Sequence, residues 1–189
     1  VTANKLVTVD DWSDLPDDAR CELVEGEFFR KASPSADHSF AMSDLRGFLE
    51  PYLRKSGGDG GEGWWIAVEA HVEYPDRRNG FIHDLAGWRK SKCPTRPKGK
   101  RISQLPDWVC ELVSSNRSND YVIKNRVLHE NRIEYYWTID FRDKVIAVRK
   151  WVEGGYLIIQ EASIGENVRL EPFDEIEIDV TALLGEVPD

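Results

Sequence analysis

A mixed β-sheet with helices packed on it, an α/β or α+β domain, is what this sequence predicts. Three observations carry that expectation. Residues 107 to 140 read strand, helix, strand, a crossover that needs a parallel pair. The stretches 64 to 88 and 132 to 162 read as strands joined by tight polar turns, which pair antiparallel. In "SADHSFAMSDLRGFLEPYLRK" (35 to 55) apolar residues recur at helical spacing, so a helix is available to cover a sheet.

Each element follows from local chemistry. "TVDDWSDLP" (8 to 16) is a short capped helix stopped by Pro16. "CELVEGEFFRKA" (21 to 32) is a hairpin turning at Glu25-Gly26. In the helix 35 to 55, Phe40, Leu45, Phe48, Leu49, Tyr52 and Leu53 form the apolar stripe, and Pro51 marks a kink or early end. "RKSGGDGGEG" (54 to 63) is the loosest segment. "WWIAVEAHVEYP" (64 to 75) and "GFIHDLAGW" (80 to 88) are strands, as is 107 to 113. Ser118 or Asn119 caps a helix of about three turns that ends near Asn131. "RIEYYWTID", "KVIAVRKWV" and "GYLIIQEA" then form a C-terminal β-meander, followed by "VRL", "IEIDV" and a helical turn at 181 to 184.

At 189 residues, a single domain spanning 1–189 is expected, long enough for a substantial core. The longest apolar run, Trp64 to Val68, is far too short for a membrane span. The start shows no signal-peptide pattern, and Cys21, Cys93 and Cys110 lie far apart, so a cytoplasmic location is expected. Net charge is -9, which argues against a surface coated in basic groups. One loop departs from that balance. Arg89, Lys90, Lys92, Arg96, Lys98, Lys100 and Arg101 fall within thirteen residues that hold no acid. The loop is either a solvated connection or a contact for nucleic-acid phosphates. Exposed meander edges (144 to 162) point to a homodimer.

Two acids stand where strands should be apolar. Glu111 lies in "PDWVCELVSSN" on the face of Val109 and Val113. Asp84 lies in "FIHDLAGW", and period-2 alternation puts it with Ile82 and Ala86. One such acid is ordinarily a strand-end charge or a satisfied core group. Two on neighbouring strands point to a shared cation, because a divalent ion removes both their repulsion and their desolvation cost. Oxygen donors alone favour Mg²⁺ or Mn²⁺. Lys124, thirteen residues after Glu111, either pairs at the surface with Asp120 one turn earlier, or packs across the sheet and reaches the acids. Other chemistries have less support. His38, His71, His83 and His129 lack zinc spacing, and "GGDGGEG" lacks the Lys-Ser or Lys-Thr of a phosphate loop. Cys110 reads as a small packed residue, and the seven tryptophans as core rather than base-stacking platforms.

"CELVEGE", "SPSADH", "HDL", "ELVSSNRSND" with a lysine on the next helix, and "EYYWTID" follow in order. That series resembles the Uma family of "putative restriction endonucleases", within the PD-(D/E)XK nuclease superfamily, over roughly residues 8 to 184. The resemblance implies a restriction-endonuclease-like mixed sheet with flanking helices. It also implies a Mg²⁺- or Mn²⁺-dependent endonuclease that hydrolyses phosphodiester bonds in nucleic acid, with DNA the expected substrate. Asp84 and Glu111 would be the metal-binding acids, and Lys124 the lysine moved onto the following helix. Glu22, His38 and Asp120 match recurrent family positions around the metal. Departures exist: Val113 stands at the superfamily's usual lysine position, Ser114-Ser115 replaces Ser-Pro, and "HDL" replaces Pro-Asp-Leu. A catalytically inactive module that keeps the nuclease fold is the alternative reading.

Overall fold

The computed structural model describes residues 6–16, 19–56, 61–113 and 119–185. Helix α1 (Val9–Ser13) opens with a capping box, in which Asp11 accepts from the Thr8 N–H at 2.8 Å. Strands β1 (Cys21–Val24) and β2 (Glu27–Arg30) form the expected hairpin. Its two turn residues, Glu25 and Gly26, both take positive φ (52° and 86°), as a two-residue turn between twisted strands requires. Ser35 caps α2 (Ala36–Phe48), and Leu49 separates it from α3 (Glu50–Arg54), where Pro51 occupies the first turn and sacrifices no helical hydrogen bond. The buried stripe is Ala41, Met42, Leu45, Leu49 and Tyr52, whereas Phe40, expected on it, is 68% exposed. Phe40 is one position before Ala41, and that 100° step rotates it off the packed face.

Strands β3 (Trp64–Glu73) and β4 (Gly80–Arg89) pair antiparallel along their lengths. After the basic loop, β5 (Trp108–Val113) is followed by a π-helical segment (Asn119–Lys124), α4 (Asn125–Glu130) and β6 (Tyr135–Asp140). β5 and β6 pair in parallel from Trp108↔Tyr135 to Val113↔Asp140, which is the crossover the sequence predicts. The proposed cap at Ser118, the Ser114-Ser115 turn and the glycines at 57 and 58 lie outside the described residues. β7 (Val145–Val152) and β8 (Gly155–Ser163) complete the meander. The tail pairs β9 (Asn167–Val168) with β10 (Ile178–Asp179) before the final turn α5 (Val180–Leu183). The architecture is thus a mixed α+β fold around an eight-stranded sheet in the order β2-β1-β4-β5-β6-β7-β8, with β3 on β4.

That order contains a split. β3 occupies one edge of β4 along its whole length, so β1 and β5 must share the other. β1 touches β4 only at Gly80, through Leu23, and β5 joins only from Leu85 onward. Between those points, Ile82 to Asp84 face a gap in the sheet. Gly80 leaves room for α1 at this point, because a Cβ there would lie 2.4 Å from the Trp12 ring and a side chain would force that ring away.

The sheet buries both faces. On one, Trp64, Trp108, Trp137 and Tyr52 surround Phe173, with ring centroids 4.9 to 5.7 Å from it. On the other, Val127 and Leu128 of α4 cover Val109 and Tyr136. Five of the seven tryptophans are buried, so packing accounts for them.

One expectation about faces fails. Trp65, Ala67, Ala86 and Trp88 pack on the α4 side, but so do Ala70, Val72 and Phe81. The alternation therefore changes phase between the two ends of β3 and β4. Ile82 falls in a separate cluster with Trp12 and Leu23, and does not share a face with Ala86. The cause is local: Glu69, opposite Asp84 in the register, has φ 49° and makes no ladder pair with it. A single left-handed residue costs about a kcal/mol or more, and such outliers gather at functional sites.

Candidate active site

The split in the sheet exposes backbone groups that no strand satisfies, and charged side chains fill it. The Ile82 N–H donates to Glu22 Oε1 at 3.1 Å, and the Ile82 carbonyl accepts from the Lys31 ammonium. On the facing strand, the Leu112 N–H donates to Asp84 Oδ2 at 2.8 Å. The β4–β5 register, with Leu85 opposite Cys110, extends to place Asp84 opposite Glu111. Glu22, Asp84, Glu111 and Lys124 are all buried, at 3%, 2%, 1% and 2% exposure. Buried charges need partners, and here they are one another's.

Lys124 Nζ lies 3.0 Å from Glu111 Oε2 and 3.2 Å from Glu22 Oε1. The helical segment after β5 thus packs over the sheet and sends its lysine inward. Asp120 lies on the same segment, but its side chain is outside the described residues. Asp84 is met by other groups: Lys31 Nζ at 2.7 Å on Oδ1, and His38 Nε2 at 3.1 Å on Oδ2. Lys31 also lies 3.9 Å from Glu111 Oε2. Its place follows from the hairpin, for it is the first residue past β2, where the Lys31 N–H donates to the Arg20 carbonyl at 2.7 Å. His38 comes from the first turn of α2, set by the Ser35 cap.

Behind Glu111 runs a buried chain. His83 Nδ1 lies 2.5 Å from Glu111 Oε1, and His83 Nε2 lies 2.8 Å from the Tyr74 hydroxyl. With Glu111 ionised, Nδ1–H donates to it and the Tyr74 hydroxyl donates to Nε2. With Glu111 protonated, both bonds reverse, so Glu111 and both His83 nitrogens keep a partner in either state. The sequence assigns His83 a strand-polar position, with a role near the site as the lesser alternative, and does not single out Lys31. Phase alternation could not find His83, because the alternation breaks at the next residue. Lys31 is reached through the sheet split, a long-range feature with no local signature.

These contacts set the acidities. Burial opposes ionisation of Asp84, but Lys31, His38 and Lys124 overcome it and hold the carboxyl far below the usual range. Glu22 behaves likewise: burial raises it, and Lys124 and Lys31 bring it below its ordinary value. For Glu111 burial wins, and its carboxyl is pushed up to about 7 despite Lys124 and Lys31. Burial also drives His83 well below the ordinary imidazole value, so it is neutral. Of the two acids sharing Lys124, Glu22 stays ionised and Glu111 is the one that titrates near neutrality.

Among the described residues, no cluster of three or more His, Cys, Asp or Glu side chains is arranged around a metal position. The donor set is smaller and of a different kind. The Lys31 ammonium is a cation already held by Asp84 Oδ1 and the Ile82 carbonyl, with Glu111 Oε2 nearby. Two carboxylates and one carbonyl converging on a cation fit Mg²⁺ or Mn²⁺, which bind through one or two carboxylates and keep several waters. The same site opens into a cavity of about 840 Å³ whose cations, besides the two lysines, are Arg20, Arg30 and Arg142. Arg20 is locked to Glu69 by two bonds of 2.5 and 2.6 Å.

The basic loop lies elsewhere. None of its seven cations lines that cavity; Arg96 and Lys100 border a second hollow of about 410 Å³ against β3. Several are committed to the fold. Arg89 pairs with Glu134 and stacks over Trp64, Lys90 donates to the Leu53 and Lys55 carbonyls, and Lys92 pairs with Asp107. Arg101 donates to the Trp12 carbonyl, and Lys100 to that of Leu15. Arg96 and Lys98 are exposed.

Comparison with known proteins bears on the family and the fold. The family model described as "Uma2: Putative restriction endonuclease" matches residues 8–181. No curated protein matches the chain. Among solved structures, one that is similar is the crystal structure of "a putative nuclease belonging to DUF820" from Anabaena variabilis ATCC 29413. It is 17% identical, the match covers 94% of this chain and 97% of that one, and the TM-score is 0.71, which shows a shared fold. No helix among the described residues is long and apolar enough to cross a membrane.

Proposed function

The chain belongs to the Uma2 family, and from that premise we propose that it is a divalent-cation-dependent endonuclease hydrolysing phosphodiester bonds in DNA. The observation that carries the reading is the convergence of Asp84, Glu111 and the Ile82 carbonyl on one cation position at the floor of an arginine-bordered cavity.

Asp84, Glu111 and the Ile82 carbonyl are the residues that would hold the ion. Bound there, Mg²⁺ or Mn²⁺ supplies Lewis acidity toward a phosphoryl oxygen and lowers the pKa of a water. The protein supplies the rest. Asp84 is kept ionised by Lys31, His38 and Lys124 and its Oδ2 is anchored by the Leu112 N–H, so it needs no proton release to serve as a ligand. Lys124, fixed between Glu22 and Glu111, presents a positive charge that stabilises charge developing on phosphate. The reversible Glu111–His83–Tyr74 chain keeps Glu111 hydrogen-bonded in both protonation states. Arg30 and Arg142, exposed at the cavity, are placed for the nucleic-acid backbone.

The test is cleavage of supercoiled plasmid and of single-stranded DNA with Mn²⁺ or Mg²⁺ against chelator. Cleavage that needs the ion and disappears in Asp84→Ala supports the reading. Cleavage unaffected by Asp84→Ala, or a folded protein that cuts neither DNA, overturns it. Salt-dependent DNA binding without cutting would point to the interaction module instead.

A further inference from the structure

Lys31 raises a question that the proposed reaction does not answer. Its ammonium stands between Asp84 and Glu111, bonded to Asp84 Oδ1 at 2.7 Å and to the Ile82 carbonyl, with Glu111 Oε2 at 3.9 Å. These are the same three oxygens that fit a hard divalent cation. An ammonium and a divalent ion cannot share them, since both are positive and one volume holds one of them. Lys124 is differently placed: it also meets Glu111 Oε2, at 3.0 Å, but its second carboxylate is Glu22 rather than Asp84, and it is 2% exposed. Lys31 alone of the two spans both strand acids.

We propose that Lys31 is a built-in competitor for the divalent cation: its ammonium fills the cation position between Asp84 and Glu111 and must leave before an ion binds there. This rests on the cation site proposed above. The consequence is a protein whose two acids are neutralised without metal, and which loads only when the ion outcompetes a tethered charge. The geometry allows the exchange. The Lys31 backbone is anchored through its N–H to the Arg20 carbonyl, so the ammonium moves by rotation of its four-carbon stem. That side chain is 16% exposed and borders the cavity, so the displaced ammonium turns into open space lined by Arg30 and Glu69 rather than into core.

An internal competitor lowers apparent affinity by the fraction of molecules in which it has left. If Lys31 holds the position in about nine molecules of ten, removing its charge tightens ion binding about tenfold. The experiment is calorimetric titration of Mn²⁺ into chelator-treated wild type, Lys31→Met and Lys31→Gln. Methionine keeps an unbranched four-atom stem without charge; glutamine keeps a donor for Asp84, so that one variant retains a hydrogen bond there should the other fold poorly. Both variants are expected to bind Mn²⁺ about tenfold more tightly than wild type. Thermal melts should agree, with a lower midpoint than wild type in chelator and a larger rise on adding Mn²⁺. Wild-type binding with equal or weaker binding by both variants overturns the competitor role and leaves the cation site standing. No binding by any of the three overturns the cation site and this inference with it.

Discussion

Replacing Glu111 by glutamine should stabilise the metal-free protein at alkaline pH and leave it unchanged at acid pH. Burial raises this carboxyl from 4.5 to about 7. Below the lower value Glu111 is protonated whether the chain is folded or unfolded, and folding carries no penalty. As pH rises from there through the folded value, the unfolded chain ionises freely while the folded one resists. The stability present at low pH is lost across that window, and the loss is complete above it. A shift of this size corresponds to about 3 kcal/mol. Glutamine mimics the protonated acid, since its amide N–H can donate to His83 Nδ1 as the carboxylic O–H does. It never ionises, so it escapes the loss. For a chain of this length about 3 kcal/mol moves the melting midpoint by roughly 6 to 12 °C. The assay is thermal unfolding in chelator at about pH 4.5 and about pH 8, the two ends of the titration window. Near-equal midpoints at the acid end and a higher one for Glu111→Gln at the alkaline end are expected. The Asp84 titration is common to both proteins and cancels. A variant that is less stable at the alkaline end, or a difference constant with pH, refutes the view that burial outweighs Lys124 at this carboxyl.

Four further outcomes follow from the same cluster and from the loop. Lys124→Met strands Glu22 and Glu111 in the interior, and breaking such a pair costs about 3 to 5 kcal/mol, measurable by urea unfolding at neutral pH. His83→Ala removes the group that orients Glu111, and calorimetry should show Mn²⁺ affinity falling about 10- to 100-fold. In the basic loop, Arg96 and Lys98 are exposed, so replacing both by Ala should reduce the slope of log affinity for DNA against log salt by about 2. Arg89→Ala should act on stability instead, because its guanidinium is stacked on Trp64 and paired with Glu134.

Much of the fold is legible because it is local. The Glu25-Gly26 turn, the helix that follows Ser35, the parallel crossover around 107 to 140 and the meander each leave a short-range signature. Phe173 does not. It lies in an irregular tail, yet gathers Tyr52, Trp64, Trp108 and Trp137, residues brought together only by the finished sheet. The site divides in the same way. Asp84 and Glu111 betray themselves as acids in apolar strands, and Lys124 by its place on the next helix. Lys31 and His83 are hidden because the sheet splits beside one and changes phase beside the other.

That split explains why the cluster is where it is. A continuous β1–β4–β5 surface would satisfy the backbone of Ile82 and Leu112 with ladder bonds and leave no room for five charged side chains. Because β1 departs after Gly80 and β5 arrives at Leu85, the Ile82 N–H and carbonyl and the Leu112 N–H must be satisfied otherwise. Glu22, Lys31 and Asp84 do so, one group each. The sheet defect therefore fixes Glu22 and Asp84 by backbone hydrogen bonds rather than by side-chain packing alone, and a backbone-anchored carboxylate keeps its position when its cation changes. An exchange of Lys31 for a divalent ion can then leave Asp84 in place, still held by the Leu112 N–H and by His38.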